Sequence, residues 1–151
     1  MLFLWAIIAA AVSVVDQLSK LYITGTFGIT DHMTLIPGLI DIVYVENSGA
    51  AFSMLDGHTW LLGLVSAIFC VAITVYMLKQ KPKQPIQIIA AGLLLGGALG
   101  NGFDRIFRGF VVDFIELTLF KFPVFNFADI AITVGAALIV IQVLIAEKKE
   151  Q

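Results

Sequence analysis

The sequence predicts an all-α membrane fold: a four-helix transmembrane bundle carrying a small extracytoplasmic β-structure. Two observations carry the helical part. Of 151 residues, 60% are hydrophobic and only 13% charged, with a mean hydropathy of +0.99. A soluble domain carries about 25% charged residues and could not bury so much apolar surface. Four segments, 2–23, 60–78, 86–104 and 126–146, reach the length of about 20 apolar residues that a hydrocarbon core about 30 Å thick demands. A third observation gives the β-structure: the connection 24–59 is too long for a bare turn and holds a β-rich run. The chain 1–151 is expected to form one integral membrane domain.

The first segment is uncharged until Asp16. Its Ala9-Ala10-Ala11 would suit a secretory signal, but no basic region precedes it, so it is expected as a retained span. Within the connection 24–59, Leu39 to Val45 is rich in β-branched and aromatic residues. Pro37-Gly38 and Asn47-Ser48-Gly49 supply turn signals on either side, and the expected outcome is a small β-structure resting on the membrane surface. The second segment carries no charge and contains Cys70, the single cysteine. One thiol gives neither a disulfide framework nor a thiolate cluster, so Cys70 is a core or lipid-facing side chain. The third segment is rich in small residues (Gly92, Gly96, Gly97, Ala98, Gly100), which let helix backbones approach closely in lipid. The fourth is interrupted only by Asp129. All four must be helical, because lipid offers unpaired backbone groups no partner.

Lysine placement sets the orientation. Lys79, Lys81, Lys83, Lys148 and Lys149 are five of the nine basic residues, and Thr24 to Thr59 contains none. The positive-inside rule makes both termini and the 79–85 loop cytoplasmic, with the connections 24–59 and 105–125 facing outward. A net charge of −2 without a basic block excludes nucleic acid as a partner.

On this topology the charged residues and asparagines of the spans all fall at the outer face: Asp16 and Lys20; Asn101, Asp104 and Arg105; Asp113 nearby; Asn126 and Asp129. An ionisable group at a span's centre costs roughly 2.5–3.5 kcal/mol, less toward its ends, so each marks a candidate site. Asp16 and Lys20, four apart, share a helix face and can pair. That pair could pin the first span near the headgroups or orient a neighbouring active group, with a direct catalytic role for Lys20 a lesser alternative. Asn101, Asp104 and Arg105 also share a face. Arg105 could serve the helix C-terminus, or hold a substrate carbonyl or a carboxylate. Asp113 and Asp129 stand in apolar surroundings, with no basic residue three or four positions away. Two such carboxylates brought together can share a proton, one activating water while the other donates to a leaving group. An ion-coordinating or proton-relay pair is the alternative.

Other hydrolytic chemistries lack their motifs. There is no His-Glu-x-x-His and no Gly-x-Ser-x-Gly elbow. His32 and His58, the two histidines, lie in the outer connection. The glycines near 96–102 lie inside a span, where no phosphate loop could form.

Four blocks then carry a resemblance: Asp16-Gln-Leu-Ser-Lys20; Asn47-Ser-Gly-Ala-Ala-Phe52; Gly100-Asn-Gly-Phe-Asp-Arg105 with Val111-Val-Asp-Phe-Ile115; and Phe125-Asn-Phe-Ala-Asp-Ile-Ala-Ile132. In this order along a four-span chain they resemble the lipoprotein signal peptidases, the type II signal peptidases of bacteria. The resemblance implies an aspartic endopeptidase of the cell membrane with Asp113 and Asp129 as its dyad. It implies diacylglyceryl-modified prolipoproteins as substrates, cut N-terminal to the lipidated cysteine, and no metal or organic cofactor. Asn47, Gly49, Asn101, Arg105 and Asn126 would line the site, with Asp16, Lys20 and Asp104 in support. The outer connection would form a β-cradle, and Phe110 to Phe120 would shape the entrance. The other expected partner is membrane lipid, and the enzyme is expected as a monomer. Glu46 departs from the apolar or basic residue expected there. A small transporter and a tetraspan scaffold are the rivals. No inverted repeat supports the first, and the second leaves two costly aspartates without a role.

Overall fold

The computed structural model describes residues 3–29, 31–49 and 58–150, with side chains as far as 146. Ala50, Ala51 and Phe52 of the second block lie outside the described residues. Four helices form: α1 (Leu4–Thr26), α2 (Thr59–Gln80), α3 (Pro85–Phe107) and α4 (Phe127–Glu150). Each is long and apolar enough to cross a membrane. The protein is therefore a multi-pass membrane protein built as a four-helix transmembrane bundle.

The helices are not equivalent. In α3, 61% of the apolar stretch is buried inside the protein, against 22%, 17% and 17% in α1, α2 and α4, so α3 is the hub. Its small residues are the reason. A β-carbon at Gly96 would come within 2.7 Å of the Ala9 carbonyl oxygen on α1, and one at Gly97 within 2.5 Å of the Ala128 carbonyl oxygen on α4. Glycine thus sets the approach of two neighbours, in the manner of small-residue interfaces in lipid. Ser13 reinforces the α1 contact by donating to the Gly96 carbonyl at 2.9 Å. A cluster of Trp5, Ala9, Cys70, Met77, Ile88 and Leu95 fills the other end of the bundle, which makes Cys70 a core residue. Lys81, at φ 46°, ends α2, and Pro85 opens α3 at a position whose N–H needs no helical partner.

A three-stranded antiparallel sheet sits at one end: β1 (His32–Ile36), β2 (Ile40–Asn47) and β3 (Val111–Leu117), in that order. Pro37 and Gly38 turn β1 into β2. The Leu39 N–H donates to the Ile36 carbonyl at 3.0 Å with Gly38 at φ 71°, the conformation a type II turn requires of its third residue. Strand character is expected over Leu39 to Val45, and β2 covers Ile40 to Val45 of that run and continues to Asn47, with Leu39 closing the turn before it. Neither β1 nor the pairing of β3 with β2 is expected from the sequence. β3 comes from the connection between α3 and α4 and aligns Val45 with Asp113 and Asn47 with Val111. Val112, Phe114 and Ile115 pack with Ile23 of α1, so the sheet is seated on the end of the bundle. The Thr118 N–H donates to the Leu39 carbonyl at 3.1 Å, which ties the α1–α2 and α3–α4 connections together at the far end of the sheet.

Candidate active site

The site begins with the way α4 starts. Asn126 caps the helix: its Oδ1 accepts the Asp129 N–H at 3.0 Å, while Asp129 Oδ2 accepts the Asn126 N–H at 3.1 Å. This is a reciprocal capping box with Asn and Asp in the two roles. The expected fourth span began at 126; the helix begins one residue later because Asn126 is its cap. The box occupies one oxygen of Asp129 and leaves Oδ1 to accept from Asn101 Nδ2 at 2.8 Å.

Asp113 arrives on β3. Its Oδ1 accepts from Asn126 Nδ2 at 2.6 Å, and its Oδ2 accepts from Asn47 Nδ2 at 2.8 Å. The Gly49 N–H donates to Asn47 Oδ1 at 3.0 Å, so Asn47 turns its amide donor toward the carboxyl. Gly49 therefore acts through Asn47. Asn126 also donates to Asn101 Oδ1 at 3.1 Å. A chain of carboxamides thus joins the two aspartates. Asp113 is 2% exposed. Burial pushes its pKa up to about 6; the Asn47 hydrogen bond pulls the other way, and the nearby Asp129 charge adds to the rise. A carboxyl so placed can hold or release a proton near neutral pH.

Both aspartates open on a cavity of about 480 Å³. Asn47, Asn101 and Arg105 line its polar side; Phe122, Phe125 and Ile130 contribute to its apolar side. Arg105 reaches the Asn101 carbonyl with one nitrogen at 3.5 Å, and its buried Nε has no hydrogen-bond partner among the described residues. A guanidinium with spare donors beside two carboxylates can hold a carbonyl oxygen in the cavity.

The remaining predicted residues lie behind this layer. Lys20, Asp16 and Asp104 are each 0% exposed. Lys20 Nζ meets Asp16 Oδ2 at 2.8 Å, Asp104 Oδ2 at 2.7 Å and Asn101 Oδ1 at 2.8 Å. By occupying the Asn101 oxygen, it sends the Asn101 amide nitrogen toward Asp129. Asp16 Oδ1 accepts the Ala128 N–H at 3.0 Å, a second cap on α4 supplied from α1. Asn101, Asp104 and Arg105, grouped by spacing on one face, are divided here. Arg105 lines the cavity, while Asp104 turns to α1 and pairs with Lys20. The sequence reading missed Arg108 and Gln17. Arg108 Nη1 pairs with Asp104 Oδ1 at 2.7 Å, and Gln17 Nε2 donates to the same oxygen at 3.1 Å. The four-residue spacing of Asp104 and Arg108 was a signal for the first; nothing local pointed to the second.

Fold and site together define a polytopic membrane protein with two aspartates, Asp113 buried and Asp129 partly buried, held by asparagines at one end of its bundle. Comparison with known proteins places it further. Residues 8–145 match the family profile described as signal peptidase (SPase) II. The chain is 39% identical over 140 residues to a lipoprotein signal peptidase of Syntrophomonas wolfei, covering 93% of this chain and 92% of that protein. It is 40% identical over 141 residues to one of Geobacillus kaustophilus, covering 92% and 90%. A solved structure described as a bacterial membrane enzyme, obtained by the in meso method at 2.3 Å resolution, superposes with a TM-score of 0.92. That match is 34% identical and covers 97% of this chain and 91% of the other. This chain belongs to the signal peptidase II family.

Proposed function

We propose that the protein is an intramembrane aspartic endopeptidase that removes signal peptides from diacylglyceryl-modified prolipoproteins, cutting N-terminal to the lipidated cysteine. The observation that carries the reading is the pair Asp113 and Asp129, linked by Asn126 and Asn101 at a shared cavity in a chain of this family.

The chemistry needs one proton between the two carboxyls. The ionised aspartate takes a proton from a water, and the resulting hydroxide oxygen bonds to the scissile carbonyl carbon. The protonated partner gives its proton to the carbonyl oxygen. When the tetrahedral intermediate collapses, the carbon–nitrogen bond breaks and that oxygen returns its proton to the dyad. The cysteine amine leaves with the proton first taken from water. The pair ends with the single proton it began with. The spare Arg105 donors and the asparagines hold substrate carbonyls through these steps. A site at the end of the bundle suits a substrate whose acyl chains lie in the bilayer and whose peptide bond must meet water. The matching cellular setting is a bacterial cytoplasmic membrane, with both termini inside and the site near the outer face.

The test is cleavage of a diacylglyceryl-modified precursor by purified protein in detergent, with Asp113→Asn and Asp129→Asn beside wild type. Removing either member of an acid–base pair should lower turnover by about 10²–10⁴-fold, while both variants keep wild-type helical content. A folded variant that cuts at near wild-type rate would remove its aspartate from the mechanism.

A further inference from the structure

The turn between β1 and β2 and the segment following β3 are far apart in sequence, yet the Thr118-to-Leu39 backbone bond joins them. Together they present an apolar tip. Leu35 is 55% exposed, Ile36 44%, Leu119 66% and Phe120 58%. Leu39 lies between these two groups. Phe120 stacks edge-on against Phe122 at 6.2 Å, and Phe122 against Phe125 at 5.8 Å. Phe122 and Phe125 line the cavity, so an aromatic row runs from the tip to the site. Lys121 is exposed within the same segment. The segment then leads directly into α4, whose Phe127, Val140 and Leu144 are exposed as a membrane span's residues are.

We propose that this tip is inserted among the phospholipids of the leaflet at the site's end of the bundle, rather than held above them, with Lys121 reaching anionic headgroups. Two features select lipid as its occupant. The patch is continuous with the lipid-facing surface of α4, and it pairs bulky apolar and aromatic side chains with a single lysine, the composition that residues at membrane–water boundaries share. An inserted tip fixes the height of the sheet, and so of Asn47 and Asp113, relative to the acyl chains. The proposal rests on the spans and the surface, and stands whether or not the protein proves to be a peptidase.

Depth can be read by spin labelling. In a Cys70→Ala background, Leu119→Cys and Phe120→Cys carry nitroxides in vesicles of phosphatidylcholine and phosphatidylglycerol, and Lys83→Cys carries the label on the 79–85 loop as a water-exposed reference. Retained helical content and detergent solubility certify each variant, and Leu35→Cys replaces any that misfolds. The inserted tip should collide with oxygen severalfold more often than with a water-soluble nickel chelate, reversing the ratio at the reference. In the same vesicles Lys121→Glu should move the tip labels toward the aqueous ratio. Tip labels with the reference's accessibility would overturn the proposal. So would dipolar broadening that vanishes on dilution with unlabelled protein, because a second copy would then cover the patch.

Discussion

The two sides of α3 use the same residue types to opposite ends. Toward α1, Asp16 and Asp104 meet Lys20, and Arg108 completes the set; two acids face two bases in a closed, fully paired cluster. Toward α4 and the sheet, Asp113 and Asp129 have, among the described residues, only asparagine amides and one backbone N–H as hydrogen-bond donors. Amides orient a carboxyl without neutralising it. Paired charges make a rigid support, while carboxyls held by neutral donors keep a proton in play. Asn101 joins the regions by accepting from Lys20 and donating to Asp129.

This contrast can be broken in four ways. The largest effect is expected from Lys20→Met, which strips buried Asp16 of its cation and leaves buried Asp104 with Arg108 alone. Losing one partner of a buried pair costs about 3–5 kcal/mol, and the Asn101 amide loses its orientation. Thermal unfolding in detergent should show the loss, together with a fall in turnover. Next comes Asp113→Asn, where the sign reverses. The Asp113 pKa is raised from 3.8 to about 6, so its stabilising contribution is complete below 3.8 and is lost as pH rises through about 6. At about 1.36 kcal/mol per pH unit the loss approaches 3 kcal/mol. The variant should therefore gain on wild type by that amount between pH 4 and 7, seen as converging then crossing unfolding temperatures. A gap that stays constant with pH would mean that Asp113 is not held against ionisation. Smaller is Gly100→Ala, whose β-carbon would lie 2.5 Å from Asp16 Oδ2. Overpacking of this kind costs about 1–3 kcal/mol, whereas Gly25→Ala, with none of the described residues within 4 Å, should be neutral or stabilising in the same assay. The smallest lies in the sheet. Asp41 and Glu116 face each other across β2 and β3, and Glu116→Lys should stabilise by about 0.2–1 kcal/mol.

The helices and the gathering of the candidate site's residues at one end of the bundle were legible because both follow from composition and period. Apolar length gives the spans, and the cost of an intramembrane charge marks Asp16, Lys20, Asn101, Asp104, Arg105 and Asp129 along one end. What could not be read was set by distant pairing. Val111 to Ile115 is too short a run to distinguish a strand from an extended loop, and its partner β2 lies in the other connection. The capping box of Asn126 and Asp129 was present in the spacing, and went unused because the span was drawn through it. The Ala128 cap supplied by Asp16 had no local signal, since its two ends sit on the first and last helices.

That remote cap has a consequence for the order in which the molecule is made. A nascent chain with three spans delivered already holds Asp16, Lys20, Asn47, Asn101, Asp104 and Asp113. It lacks Asn126, which bridges to Asp113, and Ala128, whose N–H meets Asp16. The site closes only when α4 arrives and is gripped from α1, so synthesis itself acts as a timer that withholds the assembled carboxylate pair until the last helix is in place.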